Sequence, residues 1–238
     1  MRIFSLFRKV YSLQQKLIEL KYRKAVGPAI YMFHQVTDEK NLWIDKDVCI
    51  TYSSFCRWIE MLQSKSINFY PIEKVEEHLD DSKAAFITFD DIFADAYENA
   101  ISYLEDKDIP YTVFITENYV DKVPFISQNQ LQKLKQSELC TIGYHTKNHP
   151  IMRAIGTEKM QEEIADLDYC NSKEVKIFAF PYGSIYACTK KSIKFVKKCG
   201  YKMGFSTIAV RCSRTMFENN RWFLPRINVN EKNYTKVL

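Results

Sequence analysis

The sequence predicts an α/β fold built on parallel strands. Short apolar runs rich in Phe, Ile, Val and Tyr alternate along the chain with longer runs of helical period, the pattern of strand–helix–strand units. Three of these apolar runs lead directly into residues that carry chemistry. Asp90-Asp91 follows Ala85–Phe89, His145 follows Thr141–Tyr144, and Pro181-Tyr182-Gly183 follows Val175–Phe180. Functional groups collected at one end of successive parallel strands are how such folds build a site. The 238 residues suit one large domain, and with only 6 Gly and 7 Pro no linker or low-complexity segment stands out.

Residues 1–26 read as a basic amphipathic helix ahead of a main domain at 27–238. Basic side chains fall at Arg2, Arg8, Lys9, Lys16, Lys21, Arg23 and Lys24, and apolar ones recur at Phe4, Phe7, Val10, Leu13, Leu17 and Leu20. The segment has no uninterrupted apolar core for a signal peptide and too many charges to span a bilayer. Two readings stand: a helix packed on the main domain, or a helix lying peripherally on a membrane surface.

The main domain opens with a strand at Ala29–Phe33 that runs into His34-Gln35-Val36. Tyr52–Lys65 is a helix with Phe55, Trp58, Ile59 and Leu62 on one face and Ser53 or Ser54 as its cap. Phe69–Ile72 is a short strand. Glu73–Asp81 is a helix that holds His78 in solvent. Phe93–Asp106 is an amphipathic helix ended by Ile109–Pro110, and Tyr111–Thr116 is β-branched and aromatic enough for a strand. Helices follow at Ser127–Ser137, Thr157–Cys170 and Tyr186–Cys199, interleaved with strands at Thr141–Tyr144 and Val175–Phe180. Met203–Ser206 and Ile227–Val229 close the series.

The chemistry starts at Asp90 and Asp91. Charge directly behind a buried strand is costly unless a cation, a metal or a reaction needs it. A helix cap uses one Asp, so the second wants another role. His145 and His149, four residues apart after another strand, offer imidazoles that can converge on one ion. Two imidazoles and a carboxylate, with one position open, are a ligand set that catalytic zinc takes. Asp91, His145 and His149 make such a set.

These motifs resemble those of the NodB-type polysaccharide deacetylases, carbohydrate esterase family four. Thr88-Phe89-Asp90-Asp91-Ile92 is similar to that family's Thr-Phe-Asp-Asp-Gly, His145-Thr146-Lys147-Asn148-His149 to its His-Ser/Thr-x-x-His, and Pro181-Tyr182-Gly183 to its Pro-Tyr-Gly. The resemblance runs from Ala29 to Val229. It implies a distorted (β/α) barrel of about seven strands and hydrolytic removal of acetyl groups from N-acetylated sugars. It implies a divalent metal on Asp91, His145 and His149, zinc by default, although other first-row ions suit the same ligands. A metal so held lowers the pKa of a water to about 7 and polarises a carbonyl. It also implies Asp90 as the base and the backbone N–H of Tyr182 as oxyanion donor, with Pro181 and Gly183 shaping the turn.

The departures from the pattern matter equally. Ile92 stands where the family has glycine, and a positive φ there would strain a β-branched residue. Ala179 stands where many members have an arginine that orients the catalytic aspartate, and Arg226 is the candidate replacement. The family's late histidine, its general acid, is missing: no histidine follows His149. His34, at the end of the first strand, is the candidate in its place. Pro181, Tyr182 and Trp222 are expected against substrate, although the aspartates of the family's Asp-x-x-Asp-Trp motif are not evident near Trp222.

Three function classes follow. The first is a metal-dependent deacetylase of a polysaccharide or its lipid- or nucleotide-linked precursor. The second is a catalytically weakened relative that binds glycan. The third is a metal-dependent amidohydrolase of a small non-sugar amide. The intact Asp pair and His pair favour an enzyme over a binder. A net charge of +5 is too small an excess for nucleic-acid binding. Seven scattered cysteines without a C-x-x-C pair fit free thiols in a reducing cytoplasm, or at the inner face of its membrane if the first helix rests there.

Overall fold

In the computed structural model, which describes residues 2–164 and 176–237 and side chains from residue 11 onward, a strand forms at each expected place, although the one expected over Phe69–Ile72 is only Asn68–Phe69, and all pair in parallel. In chain order they are β1 (Ala29–Phe33), the two-residue strands β2 (Gln35–Val36), β3 (Cys49–Ile50) and β4 (Asn68–Phe69), β5 (Ala84–Asp90), β6 (Tyr111–Ile115), β7 (Cys140–Tyr144), β8 (Ile177–Ala179), β9 (Met203–Phe205) and β10 (Ile227–Asn228). The main sheet runs β10-β1-β5-β6-β7-β8-β9, with β4 on the start of β5. The sheet curls until its edges meet. Phe205 at the end of β9 bridges Leu224, and the same segment continues into β10 beside β1. The result is the distorted (β/α) barrel that the resemblance implied.

β1 and β5 to β9 are buried at every residue, which is why their sequences show apolar runs rather than alternation. Side chains still alternate between the barrel interior and the surrounding helices. Ile30, Phe86, Phe114, Ala179, Met203 and Phe205 meet inside. Tyr31, Phe33, Ile87, Phe89, Val113 and Ile142 pack outward against helices. By this period of two, Asp90 belongs to the interior set with Phe86 and Thr88, and His145 lies two residues beyond Gly143. Gly143 has no side chain because Phe114 fills its space: a Cβ there would meet the Phe114 ring at 2.4 Å.

The outer layer is α1 (Arg2–Tyr22), α2 (Tyr52–Ser64), α3 (residues 94–106), α4 (Gln128–Gln136), α5 (Thr157–Ile164), α6 (Lys190–Lys198) and α7 (Arg214–Asn220). Phe55, Trp58, Ile59 and Leu62 of α2 are fully buried as expected, each worth roughly 1.5–3 kcal/mol as an order of magnitude. Several local expectations are corrected. The cap of α2 is Thr51, whose side chain accepts from Ser54 N–H, not Ser53 or Ser54. The helix expected over Glu73–Asp81 is a 3-10 stretch, Ile72–His78, whose Ile72 and Val75 enter the barrel core. His78 does not stand in solvent: its ring stacks on Tyr70 with centroids 3.8 Å apart. The turn Tyr97–Ile101 within α3 is π-helical. α6 starts at Lys190 rather than Tyr186, capped by Thr189. The expected helix beyond Ile164 and the start of the strand at Val175 lie outside the described residues.

α1 packs on the barrel, but through a different face from the one its leucines suggest. Ile18 and Tyr22 join Ile208, Val210 and Met216. The Gln15 side chain donates to the Thr207 carbonyl and accepts from Ile185 N–H, and Glu19 accepts from Ala209 N–H. These polar anchors turn Leu13, Leu17 and Leu20 outward, where each is more than half exposed.

The barrel interior closes at its C-terminal mouth on one charge pair. Arg226, fully buried, donates from Nη1 and Nη2 to the two oxygens of Asp90, each at 2.6 Å. Its Nε donates to the Ser206 carbonyl at 3.0 Å and Nη1 also reaches Thr88 Oγ1 at 3.2 Å. Thr88 in turn donates to the Tyr31 carbonyl. One side chain thus ties the β10 segment to the ends of β5 and β9 and, through Thr88, to β1. Removing one member of a buried pair leaves the other charge uncompensated. Arg226→Ala should therefore lower unfolding free energy by about 3–5 kcal/mol, read from the chemical-denaturation midpoint. A loss under about 1 kcal/mol would place Asp90 in a far wetter setting than its burial indicates.

Candidate metal centre

The site is built where three strand ends converge. β5 supplies Asp90 and leads into Asp91, the residue after β6 is Thr116, the residue after β7 is His145, and the loop beyond it returns His149. Asp91 Oδ1 lies 3.9 Å from His145 Nε2 and 3.7 Å from His149 Nε2. The ligand atoms of Asp91, His145 and His149 all lie within 4.8 Å of one another. Tetrahedral zinc with N and O ligands needs neighbouring ligand atoms about 3.4 Å apart, so small side-chain adjustments close this set on one ion. The tautomer fits as well. His145 Nδ1 is 2.8 Å from the Ala179 carbonyl, so it carries the hydrogen and leaves Nε2 free as a ligand. Burial pushes the His145 imidazole down to about 4 against the pull of Asp90 and Asp91, so it is neutral at pH 7, as a metal ligand must be.

Asp90 is distinct from this set although its Oδ2 is 3.9 Å from His145 Nε2. Both its oxygens are engaged by Arg226. Burial pushes the carboxyl up, but the Arg226 guanidinium and then His145 pull harder and hold it well below the usual carboxylate range. It is ionised at any physiological pH. Arg226 thus stands against Asp90, as the sequence suggested from the missing arginine at Ala179.

The backbone of the site is strained in several places. Asp91 and Ile92 have φ of +61° and +44°, and Thr146, His149 and Tyr182 have φ of +70°, +54° and +60°. Left-handed backbone costs a non-glycine residue about 1–2 kcal/mol. Ile92 is the sharpest case, since it is β-branched and the family has glycine there. Its side chain is fully buried in the outer core. That burial is worth roughly 1.5–3 kcal/mol, of the same size as the strain, which explains how isoleucine fits. Gly183, at φ +49°, has no such freedom: a Cβ would meet the Thr207 backbone nitrogen at 2.7 Å.

The rim is aromatic. The Tyr182 ring is 56% exposed and meets His149 edge-on at 4.7 Å. Tyr119 stacks on Phe125 at 4.2 Å, with its centroid 6.1 Å from that of His149. Pro181 is buried beneath Tyr182 in the chain, and among the described residues no carbonyl accepts from the Tyr182 N–H. His34 continues the inward alternation of Ile30 and Met32. Burial depresses its imidazole, while Asp90 and Asp91 raise it and Arg226 and His149 lower it further. Its Nδ1 is buried without a partner among the described residues. Trp222 is not brought here. Its Nε1 donates to the carbonyl of Tyr201, ahead of β9 and so at the opposite end of the barrel, and Lys197 lies over its ring. The expectation of Trp222 at the substrate is therefore corrected.

Sequence reasoning missed two supporting residues. Thr116 Oγ1 donates to Asp91 Oδ1 at 2.9 Å and fixes the carboxylate. Its place on the inward parity of β6, after Thr112 and Phe114, was the available signal. Glu163, 1% exposed, accepts from Asn148 N–H and Nδ2, each at 2.8 Å. A charged residue on the buried stripe Met160-Glu163-Ile164 of α5 was the clue.

The chain resembles known proteins in sequence and in fold. The sequence profile of the polysaccharide deacetylase family matches residues 78–204. A poly-beta-1,6-N-acetyl-D-glucosamine N-deacetylase of Staphylococcus epidermidis is 25% identical over 251 residues, covering 92% of this chain and 84% of its own. Among solved structures, the polysaccharide deacetylase BC0361 of Bacillus cereus superposes with a TM-score of 0.75 at 18% identity over 90% of this chain and 69% of that one. IcaB of Ammonifex degensii does so with a TM-score of 0.70 at 19% identity, over 89% of this chain and 95% of that one. On the profile match, with the barrel and its motifs in place, the chain belongs to the polysaccharide deacetylase family.

Proposed function

We propose that the protein is a metal-dependent hydrolase that removes acetyl groups from N-acetylated sugars of a polysaccharide or of its lipid- or nucleotide-linked precursor. The observation that carries this reading is the separation of two adjacent aspartates. Asp90 is held ionised by Arg226, while Asp91 faces the His145 and His149 imidazoles. A glycan-binding protein has no use for that division. Asp91, His145 and His149 would hold a divalent first-row ion, zinc by default. Bound there, the ion would lower the pKa of a water and polarise the acetyl carbonyl.

The chain's own residues supply the rest. Asp90 takes the proton of the attacking water, in an orientation fixed by the Arg226 fork. The Tyr182 N–H donates to the oxyanion as the carbonyl turns tetrahedral. Pro181 and Gly183 hold that amide in its turn, and the exposed Tyr182 ring offers a face for the sugar. His34 delivers a proton to the departing amine. Because burial lowers its pKa, its acid form is populated only on the acidic side of neutrality. Amide cleavage that depends on it should then slow as pH rises through that lowered value.

The name of the staphylococcal relative makes β-1,6-linked N-acetylglucosamine oligomers the first substrate to test. Metal-loaded wild type should release acetate from them or from another N-acetylated glycan. Asp90→Asn should lose about 10²–10⁴ in turnover. His34→Gln should lose a similar factor on the amide and less on an acetate ester, since an alkoxide leaves more readily. No acetate from any N-acetylated glycan would overturn the reading, and an undiminished Asp90→Asn would remove Asp90 as the base.

We further propose a peripheral contact of α1 with an anionic membrane surface. Among the described residues no helix is long and apolar enough to cross a membrane. The outward Leu13, Leu17 and Leu20 form a stripe, and at about 100° per residue the exposed Lys16 and Lys21 fall on its two flanks. The protein should sediment with vesicles rich in anionic lipid and not with zwitterionic ones. Replacing the three leucines by serine should abolish this; equal binding by that variant, or none by wild type, would refute the contact.

A further inference from the structure

The two candidate imidazole ligands sit at the ends of the five-residue segment His145–His149, whose backbone resists its own shape. Thr146 and His149 both have left-handed φ, an unfavourable conformation for either residue. Of the two histidines the sheet holds only the first directly: His145 N–H still pairs with the Ile115 carbonyl, whereas His149 lies beyond the end of β7. What holds the loop is a fixed frame of hydrogen bonds. Thr146 Oγ1 accepts from His149 N–H at 3.0 Å. The Thr146 and Lys147 carbonyls accept from Glu117 and Asn118 N–H. At the centre is Asn148, and its partner is Glu163.

Glu163 is unusual for its position. It lies on α5 and is 1% exposed. Among the described residues the cation nearest to it is Lys159 at 3.8 Å, which is itself half exposed and closer to Glu162. A carboxylate that deep is costly unless its oxygens are satisfied. They are satisfied by the His loop: Oε2 takes the Asn148 backbone N–H and Oε1 the Asn148 side-chain amide, both at 2.8 Å. The Glu163 carbonyl also accepts from Lys147 N–H. Asn148 Oδ1 in turn accepts from Asn118, linking the loop to the one after β6. Both 2.8 Å hydrogen bonds of the buried carboxylate are thus directed at the segment between the two histidines.

We infer that Glu163 is the positioning residue that sets the separation of His145 and His149, and through it the affinity of the site for a divalent cation. It touches neither the ion nor the substrate. It acts by clamping Asn148, so that the left-handed turn at His149 is already formed before an ion arrives. Residues that orient metal ligands from behind typically change affinity by 10–100-fold when replaced. A residue serving stability alone would move the unfolding temperature and leave affinity unchanged.

This inference rests on the metal reading of Asp91, His145 and His149, and the test keeps the two apart. Zinc affinity is measured by competition titration on wild type, His145→Ala, Glu163→Gln, Glu163→Asp and Asn148→Ala, with the unfolding temperature of each metal-free protein alongside. His145→Ala controls the metal reading: if wild type binds no stoichiometric zinc, or His145→Ala binds it equally, that reading fails. With that control in place, Glu163→Gln should weaken zinc binding by about 10–100-fold. The amide matches Glu163 in size but presents a donor to one of the two Asn148 donors. Glu163→Asp, which keeps both acceptors on a shorter stem, should recover part of the loss. Asn148→Ala keeps the backbone N–H and should show a smaller, several-fold loss, and it carries the test if Glu163→Gln does not fold. Wild-type zinc affinity in folded Glu163→Gln, or in Asn148→Ala should Glu163→Gln not fold, would overturn the inference, whatever happens to the unfolding temperature.

Discussion

The bidentate pair between Arg226 and Asp90 is the constraint around which the mouth of the barrel is arranged. Two charges this deep each lose several kcal/mol of hydration, and only close geometry with full hydrogen bonding recovers it. The pair meets that demand, since every polar atom of Arg226 with an acceptor in reach uses it: Asp90, Ser206 and Thr88. Phe114 and Phe205 lie against the guanidinium and exclude water from it. Asp90 therefore has its orientation and its charge set before any ligand arrives. Its neighbour Asp91, turned by a left-handed φ, is directed away from the arginine and toward the imidazoles.

The site stores strain and supports it from behind. Left-handed residues occur at the Asp91 loop, the His loop and the Pro-Tyr-Gly turn, the three segments that bear chemistry. Such outliers persist where the surroundings over-determine them. The surroundings are visible here: Ile92 is locked by burial, His149 by Thr146 and the Asn148 frame, and Tyr182 by Gly183 with Thr207, whose hydroxyl donates to the Tyr182 carbonyl.

The fold and the centre of the site were legible because both follow from short-range pattern. Runs buried on both faces read as strands, Asp90, Asp91, His145 and His149 announce themselves by type and spacing, and the Pro-Tyr-Gly turn was legible through the family resemblance. Arg226 was legible only as a substitute for a missing arginine; its direction needed the barrel to close. Other features depend on contacts that no local pattern encodes. The leucines of α1 suggested the wrong packing face, because Gln15 and Glu19 make distant hydrogen bonds that fix the helix's rotation. Trp222 was expected near the substrate through the tryptophan of the family's Asp-x-x-Asp-Trp motif, yet it lies in the turn after α7 with its Nε1 on the Tyr201 carbonyl, at the far end of the barrel. His78 was read as solvated because the segment's 3-10 winding, which brings it onto Tyr70, was not foreseen.

The central claim is that one ion is held by one carboxylate and two imidazoles. X-ray absorption at the zinc edge of stoichiometrically loaded protein tests it most directly. The account predicts a first shell of nitrogen and oxygen only, at about 2.0–2.2 Å, with the multiple-scattering signature of two imidazoles. A sulfur shell near 2.3 Å, from any of the cysteines, or a shell without imidazole scattering would contradict it.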